Sequence, residues 1–406
     1  MNLNETQIQT VRDVLSRYMT GRIDRRRALK LLGALGLTTA AAASLGKSAA
    51  AHQEAAATPE IGPRADGTNV WKVQVGGMDM ETATDVHSFF PNEITVNAGD
   101  TIFFQFAPMG MPGAHTVTFT SGAEMPPLFM PDIVDGTPVA SPEGPPRLML
   151  NPGLILPDGR TEYDGTGMVN SGVDFLRMDQ PAYTLTFTAP GTYEYACAFH
   201  SVVMKGKVTV QEAGASLPND AAAYEAMGQE QYAAFVEEGK AAIAAIGEGS
   251  ATPTADGSTI HDIAAGAGGL SPARVMSFLP QEVTVKVGDT VRWTLQTAGE
   301  PHTVTFLGGA DQPEDTLVEP QADGTTKLIQ NYQTFMPAGE QSFDGTGYHN
   351  SGFLGIPPEI GGQLGLLGDV YELTFTAPGE YTYYCVLHAS GPEGPGGMIG
   401  KVTVEA

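Results

Sequence analysis

The chain contains only two cysteines, and each opens the same short pattern. The first reads Tyr195-Ala196-Cys197-Ala198-Phe199-His200, followed by Met204-Lys205-Gly206-Lys207-Val208-Thr209-Val210. The second reads Tyr384-Cys385-Val386-Leu387-His388, then a Gly/Pro loop, then Met398-Ile399-Gly400-Lys401-Val402-Thr403-Val404. With His115 and His302 upstream, each set holds two imidazoles, one thiol and one thioether. Those donors suit an ion that stays bound in two oxidation states. Sulfur favours Cu(I), imidazole tolerates Cu(II), and a trigonal set with a weak axial thioether changes little when an electron arrives or leaves. Cysteine and histidine also suit zinc, although the thioether argues against it. A Cys197–Cys385 disulfide is disfavoured, because equivalent positions of two separate domains should not meet within the Cα limit of ~7 Å. Inert buried thiols are the remaining alternative.

The elements that position these residues are written twice. Ser88–Asp100 recurs as Ser277–Asp289 at an offset of 189 residues, and His115–Phe119 recurs as His302–Phe306 at 187. Asp164-Gly-Thr-Gly and Asn170-Ser-Gly recur from Asp344 and Asn350 at 180, and Tyr183–Gly191 recurs as Tyr371–Gly379 at 188. Ordered blocks at nearly constant offset mean a tandem duplication. Within each copy, segments such as Glu93-Ile-Thr-Val and Leu185-Thr-Phe alternate apolar and polar residues, and Pro-Gly and Ala-Gly pairs punctuate them. Several short strands at this spacing predict a β-sandwich per copy. The 50 glycines and 29 prolines in 406 residues fit a turn-rich all-β chain.

The expected organisation is an export signal at 1–51, a flexible linker at 52–67, domain 1 at 68–212, a helical linker at 213–257 and domain 2 at 258–406. Asp220 is placed to cap a helix running to Ile246, with Gly247 as its stop. Tyr232, Phe235, Val236, Ile243 and Ile246 form an apolar stripe on it, expected to pack on a domain rather than on a partner. Residues 249–258 read as a tether. The formal net charge of −25 excludes nucleic-acid or anionic-membrane binding through a general electrostatic field.

Residues 1–51 nevertheless hold more Lys/Arg than Asp/Glu. Arg25-Arg26-Arg27 precedes an apolar stretch from Leu31 to Gly46 and small residues at Ala49-Ala50-Ala51. This segment resembles a twin-arginine export signal, with Ala28 where a larger apolar residue is usual. At about 16 residues the apolar stretch is short for a spanning helix of ~20. An uncleaved anchor is the alternative, and no other run is long enough to span.

Both copies resemble the cupredoxins, the small blue copper proteins such as plastocyanin and amicyanin. The likeness rests on Cys-x-x-His, the downstream methionine, x-Gly-Lys-Val-x-Val and the upstream histidine, in order and repeated. It implies two tandem Greek-key sandwiches, one type 1 copper in each, and one-electron transfer between redox partner proteins. His115, Cys197, His200 and Met204 carry over as ligands in the first copy. His302, Cys385, His388 and Met398 carry over in the second. The loop-end histidines His200 and His388 would then be the exposed electron port. Two departures stand out. His115 and Cys197 lie 82 residues apart, and His302 and Cys385 83, so each copy carries an insertion. The insertion reads as a structural turn, or as a lid or docking surface. His388 and Met398 are ten residues apart against four for His200 and Met204, so the added loop is expected to bulge outward.

An exported electron carrier is therefore expected, periplasmic, extracytoplasmic or at the cell surface. Copper storage or delivery is the alternative, supported by ten methionines between Met78 and Met204. Met109 and Met111 would form an apolar rim or a Cu(I) entry site. A copper oxidase or reductase needs further histidine clusters, and the eight histidines include no His-x-His pair. His52, His87, His261 and His349 fall outside the repeated set and are expected at the surface.

Overall fold

The computed structural model describes residues 59–406 except 108–113, 142–145, 177–181, 322–325, 357–365, 367, 390 and 393–396. The expected export segment, His52, Met109 and Met111 lie outside the described residues, as does most of the loop expected to bulge beside His388. Among the described residues no helix is long and apolar enough to cross a membrane.

The first half contains β1 (Asn69–Asp79), β2 (Thr84–Phe90), β3 (Glu93–Asn97), β4 (Thr101–Phe106), β5 (Thr118–Phe119), β6 (Leu148–Leu150), β7 (Val169–Asn170), β8 (Ala182–Phe187), β9 (Gly191–Ala196) and β10 (Lys205–Gln211). Helix α1 (Ala221–Ile246) follows. The second half repeats the framework as β11 (Thr259–Gly269), β12 (Ala273–Leu279), β13 (Glu282–Lys286), β14 (Thr290–Thr297), β15 (Thr305–Phe306), β16 (Thr326–Gln330), β17 (His349–Ser351), β18 (Val370–Phe375), β19 (Gly379–Ala389) and β20 (Gly397–Glu405). One sheet of each sandwich runs β8-β4-β1-β2 or β18-β14-β11-β12. The other runs β7-β5-β9-β10-β3 or β13-β20-β19-β15-β17. The period of two does the sorting: Tyr183, Leu185 and Phe187 of β8 are buried while their neighbours are not. Between the sheets lie Phe89, Phe104, Phe119, Phe187 and Tyr195 in one core, and Phe278, Trp293, Phe306, Phe375 and Tyr383 in the other. Among the described residues the fold is thus all-β apart from α1 and short helical turns.

The two sandwiches are joined edge to edge. β2 pairs antiparallel with β12, which makes a single 12-stranded sheet through both halves. Its register sets Thr84 opposite Val275, Asp85 opposite Arg274 and Val86 opposite Ala273. At the 189-residue offset Asp85 and Arg274 are equivalent, so the pairing has a local two-fold centred on them. A second junction obeys the same symmetry. The insertions meet through β6 and β16, with Met149 opposite Ile329, which are equivalent at an offset of 180. Leu150, Ile155, Val318 and Leu328 form an apolar cluster there. Arg147 pairs with Glu319 at 2.6 Å, and Lys327 pairs with Asp132.

Helix α1 has the boundaries its caps dictate. Asp220 accepts from Ala223 N at 2.8 Å, and Gly247 ends it at φ 70°. The helix lies across β2, β11 and β12 and so straddles the junction. Val236 is buried and the other four residues of the stripe are half-buried. Close approach depends on Gly239, where a Cβ would lie 2.3 Å from Thr84 Oγ1. The expected tether differs: residues 250–253 form a strand on the edge of β11, because an open sheet edge offers unpaired backbone groups to an adjacent segment.

The shared Asn-Ser-Gly element anchors each insertion to the strand after the first histidine. Asn170 donates to the carbonyls of Gly153, Leu154 and Leu156 and accepts from Thr118 Oγ1. Asn350 does the same with Gln333, Thr334, Met336 and Thr305. Asp164 and Asp344 each accept from a threonine two residues on, which closes a turn. These contacts are structural.

Candidate metal centre

The first donor set comes from the segment before β5 and the turn between β9 and β10; in the second, Cys385 and His388 lie within β19 and Met398 within β20. Cys197 directly follows β9, and its amide donates to Met204 O at 3.0 Å. His200 O accepts from the amides of Val203 and Met204 at 3.0 and 2.8 Å, which closes a tight loop. His115 precedes β5, and Ala198 N donates to Thr116 Oγ1 at 2.8 Å, tying the two ligand segments together. Val386 N and Thr303 Oγ1 repeat this brace at 2.9 Å.

The donors converge. Cys197 Sγ lies 4.0 Å from His115 Nδ1 and 3.5 Å from His200 Nδ1. Cys385 Sγ lies 3.9 Å from His302 Nδ1 and 3.3 Å from His388 Nδ1, and the two Nδ1 atoms are 3.0 Å apart. All six side chains are buried. Burial alone would raise both thiols. The His200 or His388 charge and the hydrogen bonds from both histidines outweigh it and hold each cysteine well below the usual thiol range. A buried thiolate facing two imidazole nitrogens, walled by apolar side chains, fits a cation of copper type.

Met204 and Met398 are fully buried in the same apolar clusters as their cysteines. The longer second loop does not shift the register. Ala196 pairs with Lys205, and the equivalent Tyr384 pairs with Ile399. Met204 and Met398, one residue earlier, therefore stand at the same place beside Cys197 and Cys385.

Sequence reasoning missed several supporting residues. Gly76 and Gly266 occupy register breaks in β1 and β11 at φ 67° and 74°. A Cβ there would lie 2.4 Å from His115 Nε2 or 2.6 Å from His302 Nε2. The bare backbone thus walls the Nε2 edge of each ring and leaves Nδ1 facing the sulfur. The signal available in the sequence was the repetition of both glycines. The amides of Thr116 and Thr303 donate to the sulfurs of Cys197 and Cys385 at 3.4 and 3.3 Å, contacts that stabilise negative charge on each sulfur.

The loop-end histidines are not at the surface as expected. His200 and His388 are each 7% exposed and face each other across the junction. Glu300 stands between them. Its Oε1 lies 2.9 Å from His388 Nε2, and its Oε2 lies 3.3 Å from His200 Nε2. Burial alone would raise this carboxyl, but His200, His388 and His87 hold it well below the usual range. Burial would lower His388, but the Cys385 thiolate and Glu300 raise it to about 10.

His87 and His349 are likewise buried rather than exposed. His87 stacks on His200 with ring centroids 3.8 Å apart and 23° between planes. Its Nε2 lies 3.3 Å from Asp85 Oδ2 and its Nδ1 3.7 Å from Glu300 Oε2. Burial, reinforced by the charge on His200, pushes it down to about 4, so it is neutral. His349 bonds Gly347 O and Ser342 O, both at 3.2 Å, and His261 sits partly buried 3.3 Å from Asp289. These buried positions arise from the strand pairing at the junction and from the insertion, neither of which the repeated motifs encode.

Comparison with known proteins finds relatives of part of this chain. Residues 77–211 match the copper binding proteins of the plastocyanin/azurin family. Chloroplastic plastocyanin of Oryza sativa subsp. indica is 29% identical over 167 residues, covering 41% of this chain and 77% of that protein. Chloroplastic plastocyanin of Hordeum vulgare is 28% identical over 166 residues, covering 41% and 76%. A crystal structure of amicyanin from Paracoccus versutus is 21% identical with a TM-score of 0.20, covering 39% of this chain and 88% of that one.

Proposed function

We propose that this chain, a cupredoxin, holds one type 1 copper in each half and passes single electrons between redox partner proteins outside the cytoplasm. The observation that carries the reading is the pair of buried thiolates, each facing two Nδ1 atoms at 3.3–4.0 Å. His115, Cys197, His200 and Met204 would hold the first ion, and His302, Cys385, His388 and Met398 the second. Copper so held supplies a one-electron couple.

The chain's own residues do the rest. The strands hold the donors in place whichever charge the site carries, so little reorganisation accompanies transfer. Gly76 and Gly266 press the first histidines against their sulfurs, and the apolar cores exclude water from both thiolates. The arginine-rich segment before Leu31 supports export. Electron carriage fits better than dioxygen or nitrogen-oxide chemistry, because no His-x-His pair is present.

Metal analysis with a spectroscopic redox titration tests this. Two copper ions per chain, an intense thiolate charge-transfer band and reversible cycling with copper retained are expected. One ion or fewer after full reconstitution overturns the two-site reading. Transfer of Cu(I) to an acceptor on reduction overturns the carrier in favour of delivery.

A further inference from the structure

We infer that Glu300 is a positioning residue shared by both metal-ligand sets, so that the two centres act as one coupled unit across the domain junction. This rests on the two-copper reading above and goes beyond it by assigning the coupling to one side chain.

The geometry is specific. A buried carboxylate has two oxygens, and here each faces the Nε2 of a different loop-end histidine, at 2.9 and 3.3 Å. The opposite edges of those rings carry the Nδ1 atoms that face Cys385 and Cys197. At His388 the hydrogen bond to Oε1 holds the proton on Nε2, leaves Nδ1 free as a donor and fixes the plane of the ring. At His200 Oε2 is an ion-pair neighbour at 3.3 Å, and its charge favours a proton on the same nitrogen. One side chain from the second half therefore acts on a ligand in the first half as well as on one in its own.

Symmetry explains why one residue suffices. The sandwiches are related by a local two-fold through Asp85 and Arg274, which brings the equivalent histidines together near the axis. The residue two before His302 is Glu300, whereas the residue two before His115 is Gly113. A second carboxylate on the axis would repel the first in a buried site. The glutamate is itself held from behind, where Thr297 Oγ1 donates to Glu300 O at 3.0 Å.

His87, His200 and Glu300 also place three donor atoms within 4.8 Å of one another. The near-parallel stack of His87 on His200 aims their in-plane lone pairs alongside each other instead of at a common point. The cluster therefore suits an electrostatic bridge between the rings and the carboxylate better than a third metal ion.

The coupled unit has a redox consequence. The path His200–Glu300–His388 joins the ligand sets through side chains alone. With copper held by both ligand sets, each would supply a one-electron couple, and this path would offer an electron from a one-electron donor protein a route from one half to the other, with no proton moved and no bond broken.

The test uses the full copper-loaded chain with Glu300→Ala and Glu300→Gln. Copper affinity of each half is measured by chelator competition. Internal electron exchange is followed after pulsed one-electron reduction, as a first-order phase independent of protein concentration. Glu300→Ala is expected to weaken the first site as well as the second by about 10-fold or more and to slow the internal phase. Glu300→Gln, with one acceptor oxygen and no charge, should fall between. Lys327→Met loosens the other junction without touching Glu300 and should leave both readouts unchanged. If Glu300→Ala and Glu300→Gln leave the first site's affinity at the wild-type value, the inference fails while the two-copper reading stands. It also fails if Lys327→Met reproduces the alanine variant, or if a third ion is found that Glu300→Ala removes. A wild-type chain with fewer than two coppers fails the earlier reading instead.

Discussion

The imidazoles of His87 and His200 lie stacked, with centroids 3.8 Å apart and planes 23° from parallel. His87 belongs to β2 at the domain junction, and His200 belongs to the loop that carries the first candidate donor set. The contact couples the sheet that joins the domains to a ring that would bind metal. It also places a neutral side chain, held down to about 4 by burial, against a histidine that the Cys197 thiolate and Glu300 push well above its usual value.

His87→Ala should therefore disturb the first site and leave the second alone. Removing a buried ring leaves a cavity beside His200 and costs about 2–4 kcal/mol of stability. The charge-transfer band of the first site should shift, read against a variant lacking the second cysteine. An unchanged band would mean that the stack does not hold His200 in place.

Cys197→Ser and Cys385→Ser should each remove the colour of one half only. The two sulfurs sit in separate apolar cores, and a serine hydroxyl is too hard a donor to replace a thiolate. Absorption spectra with copper analysis check this. Loss of both bands from one substitution would mean a shared site.

Met398→Leu should raise the potential of the second site and spare the first. Met398 has the register of Met204 relative to the cysteine strand, despite the longer loop. An apolar replacement removes axial donation to the oxidised ion. Spectroelectrochemistry on the Cys197→Ser background isolates the second potential, and no change there would show that Met398 is not axial.

Gly76→Ala should abolish high-affinity metal binding in the first half, and Gly266→Ala in the second. The added methyl would sit 2.4 or 2.6 Å from the imidazole Nε2, which forces the ring to move. The left-handed backbone at φ 67° and 74° adds about 1–2 kcal/mol of strain. Chelator competition on each variant, with circular dichroism to show that the sheets persist, decides whether the ring or the whole half is lost.

The donor sets were legible because a metal site constrains residue type and local spacing together. Cys197 with His200 and Cys385 with His388 lie three apart, the first pair on the turn after β9 and the second within β19, and the alternation in Tyr183-Thr-Leu-Thr-Phe187 gives the strand that packs behind the first pair. The caps of the long helix were equally local: Asp220 and Gly247 act on backbone groups within four residues. Duplication helped, since Gly-Lys-Val-Thr-Val appears twice and places Met398 against its strand whatever the loop length. The relation between the halves was not legible. Pairing of β2 with β12 and of β6 with β16 is decided by which sheet edges are free and complementary once both sandwiches exist, and no single segment encodes it. That docking turned His87 from an expected surface residue into a buried neighbour of His200. It also turned the expected exposed port into a covered one. Glu300 lies 88 residues from His388 and 100 from His200 in the chain, yet within 3.3 Å of both. Local sequence determined which cysteines and histidines converge; the two-fold packing of one domain on the other decided what lies between them.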